Sequence, residues 1–495
     1  MQKPSFLKQA GFKRLLLLCA LGLIIVIGIA AYRAATWPDH QPQARDVAEI
    51  TPASGAAERL AEALRFETVS RHPGEGEMDF EIYEAFLDWL EASFPRSHET
   101  LAPERIGEYS LLFRWAGSDP EADPVLLMAH YDVVPVEPGT EDEWTHPPFD
   151  GVIEDGLIWG RGALDNKSGV TGILEAAEAL LAEGYQPRRT IKFAFGHDEE
   201  IGGEDGAKQI AQQLEEEGVA LEWVLDEGGL VLEDNDFIDS PAGLIGTAEK
   251  GYLSLELEAR GPGGHSSQPP ERTSVGSLAT AIHRLQENPF PARLAPPVTD
   301  SLDFLAGELP FAYRMVVANR WLTAPAVRAL LASEPTTNAW LSTTTAPTML
   351  RAGDKDNVLP QRASGVVNFR ILPGEDSDAV RQRVAEVIDD EAIELSTYGG
   401  LQAEPSPVSA TDNEAFDKIG GQVRGLWPDV KMLPYLLSGA TDSRHFSELA
   451  DNIYRFLPVR VSEEQLDGIH GTDERVDAES YEEGIRFYIS LMKAL

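Results

Sequence analysis

The sequence predicts an α/β protein. A large domain with helices on both faces of its sheet is interrupted by a smaller α+β domain and preceded by a membrane-anchor helix. Three observations lead there. Between Tyr109 and Asp226, apolar segments of strand length alternate with segments of helical period, which implies right-handed crossovers and a mainly parallel sheet. From Thr247 the pattern turns to strict two-residue alternation, the mark of antiparallel strands with one open face. At the N-terminus, Lys3, Lys8, Lys13 and Arg14 precede the apolar run Leu15–Tyr32, about the minimum length that spans a bilayer.

In chain order, basic residues ahead of the apolar run favour a cytoplasmic N-terminus. Residues 1–35 read as a signal anchor or a cleaved signal peptide, with the bulk of the chain periplasmic or extracellular, and secreted if the signal is cleaved. Residues 36–53, rich in Pro, Ala and charge, read as a linker. The first part of the large domain covers 54–246. Ala56–Phe66 and Phe80–Phe94 carry helical spacing, and Tyr109–Trp115 and Pro124–Ala129 read as strands. The second strand is almost wholly apolar, as suits burial on both faces. Lys167–Glu183 is the clearest helix, with Val170, Ile173, Leu174, Ala177, Leu180 and Leu181 in one stripe and Gly184 to end it. Thr190–Gly196 is a strand, Glu204–Glu217 a polar helix and Glu222–Asp226 a short strand.

The smaller domain is expected over 247–398, as a lid or dimerisation domain. Tyr252–Ala259 and Gly365–Leu372 alternate, while Val275–Gln286 and Asp378–Asp389 are helical. Glu287–Thr348, with Pro289, Pro291, Pro296 and Pro297, reads as a long insertion with short helices that shapes the pocket. Residues 399–495 return to the large domain with Val430–Leu436, Ile453–Val459 and the helix Ala478–Leu495.

Of 495 residues, 82 are acidic and 41 basic, a formal charge of −41. That field opposes nucleic-acid backbones and anionic membrane surfaces, so no nucleic-acid partner is expected and membrane contact is expected through the N-terminal helix only. Cys19 is the single cysteine, which removes disulfides, thiolate metal sites and a Cys nucleophile from the folded part.

Acidic and imidazole groups gather at predicted strand ends. His130 and Asp132 follow the buried strand; a neutral imidazole ligates a divalent metal, and a carboxylate beside it accepts the other ring N–H. Asp165 precedes the clearest helix, where it could cap the helix or bridge two cations. Glu199 and Glu200 end a strand, so as strand neighbours they should point to opposite sides and do different work. Asp226 ends the next strand, with Glu227 after it, where turn chemistry is the alternative. Carboxyl ends of strands are where an open α/β sheet binds ligands. A donor set of N and O atoms without thiolate favours a hydrolytic divalent site, zinc above all.

Together, His130-x-Asp132, Gly162-Ala-Leu-Asp165-Asn166-Lys167, Glu199-Glu200-Ile-Gly-Gly and Gly263-Gly-His265-Ser-Ser resemble the M20 metallopeptidases. The long spacers and the N-terminal apolar run are most similar to the carboxypeptidase S and N-acyl-amino-acid hydrolase branch. The likeness runs from about Ala56 to the C-terminus. It implies a zinc-peptidase-like fold and two metal ions, most often zinc. By matching motif, His130 and Asp226 would bind one ion, Glu200 and His470 the other, and Asp165 would bridge them. Asp132 would orient His130, and Glu199 would be the general base acting on a metal-bridging hydroxide. His265 would stabilise the substrate carbonyl, from the partner subunit in dimeric members. Arg370, Arg444 and Asn357 would contact the substrate. His146, His197, His283 and His445 read as structural.

The implied activity is cleavage of an amide bond beside a free carboxylate, as a carboxypeptidase on short peptides or an N-acyl-amino-acid amidohydrolase. The partners expected are a small-molecule substrate and, in some members, a second copy of the chain. An aminopeptidase or dipeptidase of the same fold is the alternative, which would need an acidic pocket for a free amine. A catalytically dead, membrane-tethered binding protein is the non-enzymatic reading.

Overall fold

The computed structural model describes residues 6–50, 52–72, 74, 76–235, 238–400 and 402–495. Lys3 lies outside them, as does the side chain of Lys8. The helix α1 (Phe6–Ala35) is followed by α2 (Ala56–Ala63), α3 (Phe80–Ser93) and α4 (Pro95–Leu101). The strands β1 (Glu104–Ile106), β2 (Ser110–Trp115), β3 (Val125–His130), β4 (Val152–Glu154) and β5 (Leu157–Trp159) lead to α5 (Lys167–Ala182). Next come β6 (Ile191–Gly196), α6 (Ala207–Glu216), β7 (Trp223–Asp226), β8 (Val231–Leu232) and β9 (Ala242–Glu249).

The large sheet has the order β1-β2-β6-β3-β7, continued by three strands named below and by β9 and β8. β3 runs parallel to both β6 and β7, so the carboxyl ends of three neighbouring strands share one edge. Every residue of β3, β6 and β7 is buried, which is why they read as mostly apolar runs, with Lys192 the one charge inside β6. α5 packs on β3 through Val170, Ile173, Leu174 and Ala177 in the main core.

The chain leaves the large sheet at Lys250, three residues beyond the expected boundary, because β9 still pairs there. The smaller domain contains β10 (Gly251–Arg260), β11 (Gly264–His265), α7 (Ser274–Glu287), β12 (Thr344–Ala352), β13 (Val358–Leu359), β14 (Arg362–Ile371), α12 (Ser377–Ile388) and β15 (Ile393–Thr397). Its sheet has the order β12-β14-β10-β15. Leu253, Leu255 and Leu257 meet α7 and α12 in a separate core, while the alternate residues face away. Between α7 and β12 lie α8 (Val298–Ala306), α9 (Phe311–Val317), α10 (Arg320–Leu331) and α11 (Pro335–Ala339). The large domain is completed by α13 (Glu414–Leu426), β16 (Lys431–Leu437), β17 (Ile453–Arg455), β18 (Arg460–Val461), α14 (Glu463–Leu466), β19 (Arg475–Asp477) and α15 (Ala478–Lys493). β17 joins β7 to β9, β16 pairs with β9, and β18 follows β8.

Two features differ from the sequence reading, and they share a cause. Helix α13 carries Gly420, Gly421 and Gly425, residues that weaken a helix signal. The expected linker is not a loose tether but is strapped across those glycines. A Cβ on Gly420 would lie 2.6 Å from Pro42, one on Gly421 2.7 Å from the Gln43 carbonyl, and one on Gly425 2.0 Å from the Arg45 carbonyl. The Arg45 N–H donates to the Gly421 carbonyl (2.9 Å), and the Gln41 amide bonds both the N–H and the carbonyl of Met432. Gly425→Ala should therefore force the strap off and destabilise the protein by about 1–3 kcal/mol. Faster trypsin cleavage at Arg45 and a lower melting temperature are the readouts; an unchanged cleavage pattern would contradict the packing.

Candidate metal centre

The site lies at the carboxyl ends of β3, β6 and β7. His130, the last residue of β3, directs Nε2 at Asp165 Oδ1 (2.9 Å) and lies 3.8 Å from Glu227 Oε2. Its Nδ1 is 3.0 Å from the Asp132 carbonyl and 3.3 Å from the Asp132 carboxylate, so the carbonyl is the nearer acceptor. On the other side of Asp165, His470 Nε2 is 3.0 Å from Oδ2 and 3.2 Å from Glu200 Oε2. The two oxygens of one carboxylate thus face two separate donor groups: His130, Asp165 and Glu227, and Asp165, Glu200 and His470. Within each group the donor atoms lie within 4.8 Å of one another.

Asp165 is free for this because its neighbour caps the helix. Asn166 Oδ1 accepts the Gly169 N–H (3.0 Å), and Asn166 Nδ2 donates to Glu227 Oε2 (2.6 Å). One side chain therefore starts α5 and aims Glu227.

Glu199 and Glu200 do not continue β6, which ends at Gly196; they form a single 3₁₀ turn, Glu199–Ile201. Strand alternation is therefore not what separates them. Both backbone N–H groups donate to Asp132, Glu199 to Oδ1 and Glu200 to Oδ2, each at 3.1 Å. Asp132 also accepts the Ser70 hydroxyl (2.7 Å). One buried carboxylate holds both the His130 ring and the turn that carries two acids.

Glu227, not the expected Asp226, lies beside His130 in the structure. Consecutive residues at a strand end point to opposite faces, so only one of the pair can reach the cluster. Asp226 Oδ2 accepts the Ser443 N–H (2.9 Å) instead, on the side where Glu249 receives Arg455 and the Thr441 hydroxyl.

The charge balance suits cations. Burial, then neighbouring acids including Glu227 and Asp442, pushes Glu199 well above the usual carboxylate range despite His130. Burial and Asp226 do the same to Glu227. Burial and Asp165 raise Glu200 to about 7, and its Oε1 is buried with no hydrogen-bond partner among the described residues. Burial disfavours a proton on His130, yet Glu227, Asp132 and Asp165 outweigh it and raise the ring. Hydrogen bonds that the ring donates to Asp165 and Glu200 raise His470 to about 10. Crowded carboxylates of this kind are stabilised by positive charge, and the donor set is all N and O. The residues present fit a pair of divalent cations.

His470 arrives on a loop fixed by a residue the sequence did not flag. Glu474, fully buried, accepts from Arg161 (2.6 Å) and from the N–H groups of Gly162 (3.1 Å), Leu164 (2.8 Å) and Asp165 (3.1 Å). Four residues after His470, it ties that loop to the one presenting Asp165. Glu474→Ala should cost about 3–5 kcal/mol, because it strands the buried Arg161. Thermal denaturation checks this, and a change below about 1 kcal/mol would contradict it.

The remaining candidates lie outside the cluster. Arg444 donates to the Gly202 carbonyl (2.7 Å), just after the Glu199–Glu200 turn, and His445 meets the same carbonyl (3.0 Å). Arg370, on β14, stacks over the Tyr252 ring (4.7 Å) and reaches the Ser438 carbonyl (3.4 Å) of the large domain. His265 is exposed on β11, and its Nδ1 accepts the Ser267 N–H (3.1 Å), which leaves Nε2 as the donor nitrogen. The Ser266 N–H donates to the Asn357 carbonyl (3.1 Å), and His265 pairs with Val358, so His265 and Asn357 belong to one small ribbon. Among the described residues no hydrogen bond or ion pair joins that ribbon to the carboxylate cluster. His197 bonds the Ser110 hydroxyl (2.7 Å) behind the site.

Residues 126–494 match peptidase family M20/M25/M40. The chain is 38% identical over 485 residues to the N-fatty-acyl-amino acid synthase/hydrolase PM20D1 of Xenopus tropicalis, covering 96% of this chain and 93% of that one. It is 30% identical over 516 residues to carboxypeptidase S of Saccharomyces cerevisiae, covering 91% and 88%. Among solved structures, the M20 family metallo-carboxypeptidase Sso-CP2 from Sulfolobus solfataricus shares the fold with a TM-score of 0.62 and 18% identity, over 89% of this chain and 99% of that one.

Proposed function

Because this chain belongs to peptidase family M20/M25/M40 and is a hydrolase of amide bonds, we propose that it cleaves an amide next to a free carboxylate, using two divalent ions, most suitably zinc. The observation that carries this reading is Asp165 turned with one oxygen to each of two donor groups. His130 and Glu227 would complete one ion site, and Glu200 and His470 the other. Bound there, such ions would supply Lewis acidity toward the scissile carbonyl and lower the pKa of the attacking water.

The chain's own residues do the rest. Glu199 takes the proton of the attacking water and returns it to the leaving amine. Its raised affinity for a proton suits both halves of that transfer. Asp132 keeps His130 and the Glu199 turn in register. His265 Nε2–H donates to the carbonyl oxygen as charge develops, once the smaller domain closes or a second copy supplies it. Arg370 and Asn357 receive the substrate carboxylate side, and Arg444 holds the turn through Gly202. The smaller domain acts as the lid. Amides beside a free carboxylate are common to the chemistry that the two relatives' names describe. α1 would anchor the protein with its catalytic part outside the cytoplasm.

The test is a hydrolysis panel on the full-length protein in membranes: N-acyl amino acids, carboxyl-terminal dipeptides, and the same compounds with the carboxylate or the amine blocked. Turnover should need the free carboxylate, tolerate a blocked amine, stop with chelator and return with zinc. Turnover that needs a free amine and ignores the carboxylate would select the aminopeptidase reading instead.

A further inference from the structure

The insertion α8–α11 has a composition that runs against that of the chain. Acidic residues make up 82 of 495, yet none occurs in the 25 positions from Leu309 to Ser333, which hold Arg314, Arg320 and Arg328. This segment is α9 and α10. Among the described residues, fourteen large hydrophobic side chains outside α1 are exposed, and six of them belong to it: Phe311, Tyr313, Val316, Trp321, Leu322 and Leu330, each 40–71% exposed. Arg314 is held by the Gly307 and Leu309 carbonyls and Arg320 by Asp303, which leaves Arg328 exposed at the rim. An exposed apolar cluster with a polar rim is an interaction surface, and aromatic, Leu and Arg side chains on short helices are the make-up of an interfacial membrane segment.

Its position identifies the partner. α9 packs against the last turns of α1, where Ala30 and Ala34 are buried while most of the preceding apolar residues are exposed. Asn319 donates to the Ala30 carbonyl (3.0 Å), and Arg33 reaches the Ala318 carbonyl (3.4 Å). Trp37, just beyond α1, donates to the Asp303 carbonyl (3.1 Å) and packs into the insertion's core with Val298 and Leu302. α8 is braced on the large domain, where Lys431 meets Glu308 (3.1 Å). The strap over α13 fixes the same segment. The membrane helix is therefore held to the body, not tethered by a free linker. The span Phe12–Ala35 is about 36 Å long at 1.5 Å per residue, against a hydrocarbon core of about 30 Å. Ala30–Ala35 then lies at the water boundary, and whatever touches Ala30 and Ala34 lies at the same level.

We infer that the α9–α10 face is seated in the bilayer that holds α1, with its apolar side chains among the acyl chains and Arg328 at the headgroups. This rests on the reading of α1 as an anchor. It revises the expectation of membrane contact through the N-terminal helix alone. The strongly acidic body is kept off an anionic surface everywhere but here, so the face also orients the smaller domain relative to the membrane. A substrate with an acyl chain would meet that domain directly from the lipid phase.

Cys19, the single cysteine, makes the test direct. The full-length protein is reconstituted in phosphatidylcholine–phosphatidylglycerol vesicles with one nitroxide label per sample. One sample carries it at native Cys19; the others carry it at Leu322→Cys, Leu330→Cys or Leu466→Cys, each in a Cys19→Ser background. Leu466 is exposed on the large domain and serves as the aqueous reference. Accessibility to oxygen against a water-soluble nickel complex gives depth. Labels at Cys19, 322 and 330 should favour oxygen, and the label at 466 should favour nickel. Cys19 in the bilayer with 322 and 330 as nickel-accessible as 466 overturns this inference and leaves the anchor intact. Cys19 in water overturns the anchor reading and this inference with it. Spin–spin broadening between labels at 322, with no oxygen preference, would give the face to a second copy and likewise overturn it.

Discussion

Glu199→Gln should lower kcat by about 10²–10⁴-fold while the protein keeps its full metal content. The substitution keeps the side chain's shape and removes its capacity to take a proton. Glu199 is a member of neither donor group, so the ions should not depend on its charge. Its N–H bond to Asp132 is a backbone contact and survives the change. Melting temperature should hold or rise slightly, since a carboxyl pushed upward by burial and by neighbouring acids is replaced with a neutral amide. Metal analysis and steady-state kinetics on one preparation give the answer. Retained turnover removes Glu199 as the base, and loss of metal together with turnover makes it a ligand instead.

The neighbouring pair Asp226 and Glu227 gives the second large effect. Glu227→Ala should remove the ion held by His130, halving the metal content and lowering affinity there by more than the roughly 10–100-fold typical of an outer partner. Asp226→Asn should leave the metal content unchanged. It weakens the acceptor for the Ser443 N–H, at about 1–3 kcal/mol of stability. Metal stoichiometry and thermal denaturation separate the two outcomes. Metal loss on changing Asp226, with none on changing Glu227, would reverse the assignment.

That pair also marks how far the sequence could be read. The strand ends and the clearest helix were legible because β3, β6 and β7 are buried on both faces and α5 has a continuous apolar stripe. His130, Asp165 and Glu200 come together because each sits at or just beyond such an element. Asp226 and Glu227 are adjacent acids, and which one faces His130 depends on where β7 ends, a matter of one residue. Glu199 and Glu200 were placed on a strand, but a 3₁₀ turn carries them, set by Asp132 from 67 positions earlier in the chain. Glu474 could not be found locally, since its partners Arg161, Gly162, Leu164 and Asp165 lie more than 300 positions away. α13 was hidden by glycines whose purpose is the strap that crosses them.

Two cations would share Asp165, with His130 and Glu227 completing one site and Glu200 and His470 the other. Anomalous diffraction at the zinc edge from crystals of the active protein tests it most directly. Two peaks about 3.5–4 Å apart are expected beside the Asp165 carboxylate, with Glu227 on the peak nearer His130. A single peak, or two peaks with Asp226 in the place of Glu227, would contradict it.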